Sequence, residues 1–352
     1  MFNPFSRRPA ERPVPAGAPA VSAPSTAAPS DSAAGAAPIP PGAGAAELEG
    51  HFAGQLAAEL RRIRALSGAG APGVDTSVLC DALEERFCGD SAAPLDGIRQ
   101  IPAAAQETMG LCNDPDGSVV KLADVVNRDP TLTQALLRYA NSAFYARSGQ
   151  SAAVSIPDAV ARVGVAGVRN VVLSVTVEGL VSRPGGELDK VAEAVWAHMV
   201  RVAPLARLIA RAYPAAPETA FALGLLHDVG KMIVVDLASA LRSKLRRPVS
   251  MPAPHTREIL LALHEPLGGL CALRWNLGPE AARAIATHHR ATPPAARDAM
   301  SEVLYLAERV DHANERREEV NLATLWEQGA LGGRVERVAQ ALAGELDATV
   351  TF

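Results

Sequence analysis

The sequence predicts an all-α protein, and three observations carry that expectation. Apolar residues recur at intervals of three and four in one segment after another, helix-starting residues stand at the heads of several segments, and Gly or Pro separates them. The first such segment, ELEGHFAGQLAAELRRIRALSG, places Phe52, Leu56, Leu60, Ile63 and Leu66 on one face and ends in glycine, the pattern of an amphipathic docking helix. In SVVKLADVVNRDPTLTQALLRYANSAFY, Ser118 is placed to cap one helix. Asp129 followed by Pro130 opens another, whose Leu132, Leu136 and Tyr139 share a face. SIPDAVARVG begins with a Ser-x-x-Asp box at Ser155 and Asp158. ELDKVAEAVWAHMVRVAPLARLIARAYP is helical in pattern, with Pro204 expected to kink or break it. Gly278 and Pro279 end one helix and begin the next, and SEVLYLAERVDHA belongs to a last helical pair after the TPPAA turn. NVVLSVTVEGLV stands apart: Leu173, Val175 and Val177 alternate with Ser174, Thr176 and Glu178, the period of a strand in β-branched residues.

Composition bounds the class. With 352 residues, 48% of them apolar, the chain can bury a core in one large domain or two ordinary ones without help from disulfides. Cys80, Cys88, Cys112 and Cys271 fall at no C-x-x-C spacing, which fits a reduced compartment and suggests neither a zinc ribbon nor a disulfide framework. A net charge of -4 with both signs scattered offers no basic stripe, so no direct nucleic-acid partner is expected. No apolar stretch approaches the roughly 18 residues of a membrane span. MFNPFSRRPAERPVPAG has no apolar region behind its basic residues, so neither membrane insertion nor export is expected. Residues 1–46 are almost entirely Ala, Pro, Gly and Ser and predict a disordered tail, read as a plain tether.

The chemistry-bearing residues gather in the second half: His198, His227 with Asp228, His264, His288 with His289, and Glu308 with Asp311. GLLHDVGK sets His227, Asp228 and Lys231 among residues that otherwise read as core, where an unpaired charge costs several kcal/mol, so something must compensate them. His227 and Lys231 share a helical face while Asp228 lies about 100° round. His288 and His289, being adjacent, are expected to diverge, with one reaching a cavity. Imidazoles with carboxylates suit a divalent Fe, Mn or Zn ion, which would activate water or hold phosphate oxygens, with Lys231 stabilising phosphate charge. The competing reading is a buried, mutually hydrogen-bonded pair of structural value only, with Lys231 a helix C-terminal charge. Arg138, Asn141 and Tyr145 read as a capped helix end, with a polar contact to the second half as the alternative.

WAHMVRVA, LLHDVGK and HEPLGGLCALRWNLGPEAARAIATHH together resemble the HD superfamily, and specifically its HDOD branch, the HD-related output domain. The earlier stretch containing DPTLTQALLRYANSAFY, with SIPDAVARVGVAGVRN after it, is similar to the helical lobe that distinguishes HDOD from catalytic HD proteins. The resemblance covers roughly residues 94–292. It implies an all-helical, two-lobed fold, which overrides the strand-like period near Leu173. It also implies a bacterial, cytoplasmic role in signal transduction, regulatory rather than catalytic. Carried over by position, the superfamily's metal ligands would be His198, His227 and Asp228. Glu308 stands where the closing Asp of an Ala-Asp motif is expected, and Asp311 lies one turn further on.

The related HD-GYP phosphodiesterases also use histidines like His264, His288 and His289. Their pattern continues into Glu-x-x-Asp-Gly-x-Gly-Tyr-Pro, where this chain reads HHRATPPAARDAM, and that disfavours cyclic di-GMP hydrolysis. The expected organisation is a tail over 1–46, a helical extension over 47–93, the HDOD domain over 94–292 and a C-terminal helical extension over 293–352. The expected function is a signalling module with a degenerate HD-type metal site, acting through a protein partner or self-association. The alternative is a metal-dependent phosphohydrolase acting on a nucleotide or other phosphoester.

Overall fold

The computed structural model describes residues 39, 42–67, 76–89, 107–108, 111, 119–142, 145, 152–181, 187–244, 253–275, 277–289, 298–316, 318, 320–321, 335–342 and 350–351. Most of the expected N-terminal tail, Cys112, Ser118, the Leu66 side chain and the TPPAA turn lie outside them.

The fold is all-α. Twelve helices are described: α1 (Ala45–Ser67), α2 (Ser77–Phe87), α3 (Val119–Arg128), α4 (Pro130–Ala140), α5 (Ile156–Val181), α6 (Glu187–Ala210), α7 (Pro217–Leu226), α8 (Val229–Lys244), α9 (Ala253–Arg274), α10 (Pro279–Ile285), α11 (Ala299–Arg316) and α12 (Val335–Leu342). The only β pairing among the described residues joins Val320–Asn321 to Val350–Thr351 in parallel.

Local chemistry accounts for the helix starts. Asp129 caps α4 by accepting from the backbone N–H groups of Thr131 and Leu132 at 2.8 and 3.0 Å, with Pro130 at the first helical position. At the head of α5 the Ser155 hydroxyl accepts from the Asp158 backbone N–H at 3.2 Å and donates to the Asp158 carboxylate at 2.5 Å, which is half of the expected box. Helix α5 bends at Gly164, whose φ of 73° other residues rarely adopt. Gly278, at φ 91°, leads into Pro279 and α10.

Pro204 does not break its helix, and the strand-like period gives way to tertiary context. Helix α6 runs through Pro204 and α9 through Pro266 without ending. NVVLSVTVEGLV is helical within α5: Val171, Val172, Leu173 and Val177 are buried. The Ser174 and Thr176 hydroxyls donate to the carbonyls of Asn170 and Val172, each four residues back, so the alternating polar groups are satisfied inside the helix. The span Ile156–Gly179 is long and apolar enough to cross a membrane, contrary to the expectation that no stretch approaches that length. It contains Asp158, Arg162 and Arg169, and more than half of its most apolar window is buried in the fold, as in a core helix.

Helices α3, α4 and α5 pack on one another as a first lobe. In the second, α6 and α7 pair closely, α8 lies along α9, α10 bridges α9 and α11, and α11 returns onto α6. The two share one apolar core, because α5 also packs on α7 and α8. Helix α1 buries Leu48, Phe52, Leu56, Leu60 and Ile63 against the second lobe, chiefly α9, which is the docking expected of its apolar face.

A polar network crosses between the lobes. Tyr145 Oη donates to Glu218 Oε2 at 3.1 Å, Asn170 Nδ2 reaches both the Glu218 backbone oxygen and Oε2 at 3.1 Å, and the Arg207 guanidinium lies 3.6 Å from Glu218 Oε1 and over the Phe221 ring. Tyr145 thus makes the contact with the second half. Asn141 stays in its own lobe, exchanging hydrogen bonds with the backbone of Ala153 at 2.9 and 2.7 Å.

Candidate metal centre

His227 and Asp228 occupy the two-residue turn between α7 and α8, not a helix interior. That placement lets adjacent side chains face one centre. Two glycines of GLLHDVGK set the walls. A Cβ on Gly224 would stand 2.8 Å from the Ala203 backbone, so glycine is what brings α7 against α6 and His227 against His198. A Cβ on Gly230 would stand 2.1 Å from the His264 carbonyl oxygen, so glycine is also what brings α8 against α9.

The side chains converge. His198 Nε2 lies 3.1 Å from His227 Nε2. Asp228 divides its carboxylate: Oδ2 is 3.8 Å from His198 Nε2, 3.6 Å from His227 Nε2 and 2.7 Å from Lys231 Nζ. Its Oδ1 faces His264 Nε2 at 3.8 Å and His288 Nε2 at 3.7 Å. His288 and His289 both line this space, contrary to the divergence expected of neighbours on a helix, because they fall in the turn after α10. Glu265 Oε1 accepts from the His289 backbone N–H at 3.2 Å and fixes that turn. Glu308 Oε2 lies 3.2 Å from His289 Nδ1.

The tautomers follow from the partners. Carbonyl oxygens only accept, so Nδ1 of His227, His264 and His288 must carry the proton it shares with Gly224, with Leu260 and Leu261, and with Ile285 respectively. His198 Nδ1 likewise donates to the Asp311 carboxylate at 2.8 Å. Nε2 of His198, His227 and His264 is thereby left as a lone pair turned inward, the arrangement in which a protein holds ligating imidazoles, while His288 Nε2 turns toward Asp228. Two such lone pairs facing each other at 3.1 Å, as in His198 and His227, repel unless a proton or cation lies between them. Among the described residues, Glu308 Oε1 and Nε2 of His264 and His289 are buried without hydrogen-bond partners, and Asp228 Oδ1 and His288 Nε2 have only each other's charge within 3.7 Å. Donors bound to one ion at about 2.1 Å sit roughly 3 Å apart when adjacent, so the spacing fits a metal.

The electrostatics agree with that fit. Burial would raise the Asp228 carboxyl, but Lys231 and the surrounding histidines outweigh it and hold the group well below the usual carboxylate range. Burial also drives His227 and His264 well below the ordinary histidine value, keeping both neutral. His288 goes the other way: against burial, the carboxylates of Asp228, Glu308 and Glu265 raise it to about 9, so it holds a proton that a bound cation would displace. Burial raises Glu308, partly offset by His288.

Of the candidates read from sequence, His198, His227, Asp228, His264, His288, His289 and Glu308 line one space, and Lys231 joins them from the first turn of α8, not from a helix C-terminus. Asp311 stands behind His198. Its carboxylate accepts from His198 Nδ1 and from Arg201 Nε and Nη2 at 2.8, 2.8 and 3.1 Å, and Arg201 also pairs with Glu315. It positions an imidazole and is turned away from the centre. Asp311→Asn is expected to weaken divalent-metal affinity about 10- to 100-fold with the fold intact, measured by calorimetric titration. Sequence reasoning missed Arg201, Glu265 and His312. The signal for His312 was its spacing, four residues after Glu308 on one helix.

Fold and site together define an all-helical protein with a His-Asp centre. The chain belongs to the HDOD domain family, whose match spans residues 98–291. Among solved structures it is similar to a proposed metal-dependent phosphohydrolase from Shewanella amazonensis, at 19% identity over 75% of this chain and 98% of that one, with a TM-score of 0.54. It is similar to an HDOD domain protein of unknown function from Geobacter sulfurreducens, at 24% identity over 78% and 91% of the two chains, TM-score 0.50. A proposed signal transduction protein from Marinobacter aquaeolei matches at 19% identity over 84% of this chain and 63% of that one, TM-score 0.52. At these identities the likeness is one of fold. No curated protein matches the chain.

Proposed function

We propose that the chain is a bacterial, cytoplasmic signal-transduction module that holds a divalent metal ion at the His-Asp centre and acts through contacts with a protein partner or a second copy. The observation that carries the metal is the set of inward, unpartnered lone pairs around Asp228. Asp228 would hold the ion, with His198 and His227 on its Oδ2 side or His264, His288 and His289 on its Oδ1 side, and Glu308 at the edge. A divalent ion of the Fe, Mn or Zn type would supply the positive charge these donors lack. Burial favours a regulatory role: His227, Asp228, His264 and His288 are each at most 1% exposed, which suits a resident ion better than a bulky phosphodiester. Ion binding shifts a conformational equilibrium to the extent that it favours one state. The natural relay is α7, since Glu218 at its start is tied to the first lobe and His227 follows its end.

A second reading is hydrolysis of a nucleotide or other phosphoester, favoured by the Lys231 ammonium beside Asp228, where it would brace a phosphoryl oxygen. A panel of cyclic dinucleotides, nucleoside triphosphates and simple phosphoesters, run with Mn-, Fe- and Zn-loaded protein, separates the two. No turnover above the metal blank is expected. Turnover that disappears in Asp228→Ala would replace the regulatory reading with the hydrolytic one.

A further inference from the structure

Helix α1 runs antiparallel along α9, in a register marked by two ion pairs: Glu49 lies 3.6 Å from Arg274 at the end of α9, and Arg62 lies 3.2 Å from Glu258 in its first half. Between those pairs stands Phe52, which is fully buried. Successive glycines of α9 make the room. A Cβ on Gly269 would meet the Phe52 ring atoms Cε2 and Cδ2 at 2.8 and 2.9 Å and the Ala286 Cβ at 3.0 Å, so the ring fills a notch between α9 and the end of α10. A Cβ on Gly268 would stand 2.7 Å from Ile285 Cγ2, so α10 closes on α9 at the neighbouring position. The Ile285 carbonyl accepts from His288 Nδ1 at 2.6 Å, and Ala286 leads into Thr287, His288 and His289. Arg283 Nη2 donates to the Ala43 carbonyl at 3.3 Å and ties α10 to the head of α1. The His-Asp centre takes no ligand candidate from α1, which lies ahead of residues 98–291, the stretch matched to the family.

We propose that α1 is part of the His-Asp centre: Phe52, wedged over Gly269 and Ala286, is a positioning residue that holds the turn carrying His288 and His289 against His264, and so sets the Oδ1 side of Asp228 for an ion. Its effect on metal affinity rests on the metal reading above; its hold on the turn does not. Glu265 fixes the His289 backbone by a hydrogen bond, and Phe52 fixes Ala286, three residues earlier, by packing. A close-packed interior relaxes only partly into the space left by a lost ring. Here the segment free to relax is the one that leads to two of the ligand candidates.

The test compares variants of the full-length protein, metal-free and on titration with Mn²⁺. Phe52→Ala is set against Leu132→Ala, which empties a comparably buried site in α4 of the first lobe. Both are expected to lower the melting temperature, but only Phe52→Ala is expected to weaken Mn²⁺ binding, by about 10-fold, the lower end of the range for outer-shell partners. In metal-free protein the His289 backbone N–H, followed by hydrogen exchange, is expected to lose protection in Phe52→Ala and to keep it in Leu132→Ala. Phe52→Leu keeps apolar bulk in the notch and is expected to show both losses in smaller measure; it carries the test if Phe52→Ala does not fold. Wild-type affinity and wild-type His289 protection in a folded Phe52 variant overturn the proposal, as do losses of equal size in Leu132→Ala. No Mn²⁺ binding by wild type, with His289 protection still lost in the Phe52 variants, overturns the metal reading alone.

Discussion

Asp228→Ala is expected to abolish metal retention and to destabilise the protein by about 3–5 kcal/mol, the cost of removing one partner from a buried ion pair. Asp228 is 1% exposed and stands at the hub, with one oxygen toward Lys231, His198 and His227 and the other toward His264 and His288. Without it the Lys231 ammonium, whose side chain is 14% exposed, loses its 2.7 Å counter-ion while staying beside histidines. Asp228→Asn separates charge from shape. It keeps the volume but loses the anion, so metal binding should fall by orders of magnitude while the melting temperature drops less than in the alanine variant. Thermal melts with and without chelator, alongside metal titration, read both effects.

Gly230→Ala is expected to cost about 3 kcal/mol, the upper range of ordinary overpacking, and to weaken metal binding with it. The added methyl would stand 2.1 Å from the His264 carbonyl oxygen and 2.7 Å from its Cα, both backbone atoms of α9 that no rotamer change can move aside. Helices α8 and α9 must separate, which draws Asp228 and Lys231 away from His264. Gly54→Ala provides the contrast: on the exposed side of α1 its Cβ would meet nothing within 4 Å, so helix propensity alone should raise stability by up to about 1 kcal/mol. Denaturant melts of the two variants, each with and without Mn²⁺, check the difference in sign. A Gly230→Ala protein as stable and as metal-competent as wild type would contradict the packing described.

What the sequence disclosed and what it hid divide along a physical line. The buried face of α1, the Asp129-Pro130 start of α4 and the Gly278-Pro279 start of α10 are legible because they depend on residues within a turn or two of one another. The helix over NVVLSVTVEGLV is not legible by period, because burial on several sides and hydroxyl bonds to carbonyls four residues back erase the expected pattern. At the site, residue types in GLLHDVGK and THH mark the ligand candidates, but their directions depend on turns that a helical reading misplaces. Asp311 is the clearest case. Its partner His198 is 113 residues away, so only the packing of α11 on α6 reveals that it steadies an imidazole. For His312 the spacing from Glu308 is legible, but its stacking on His198 is a tertiary contact and is not.

The most direct test of the metal centre is elemental analysis of full-length protein purified without chelators, repeated after reconstitution with Fe, Mn or Zn. At least one tightly held divalent ion per chain is predicted, absent from Asp228→Ala, with a melting temperature that falls when the ion is removed. Wild-type protein that carries no metal, takes none up on reconstitution and melts identically with and without chelator would contradict the account.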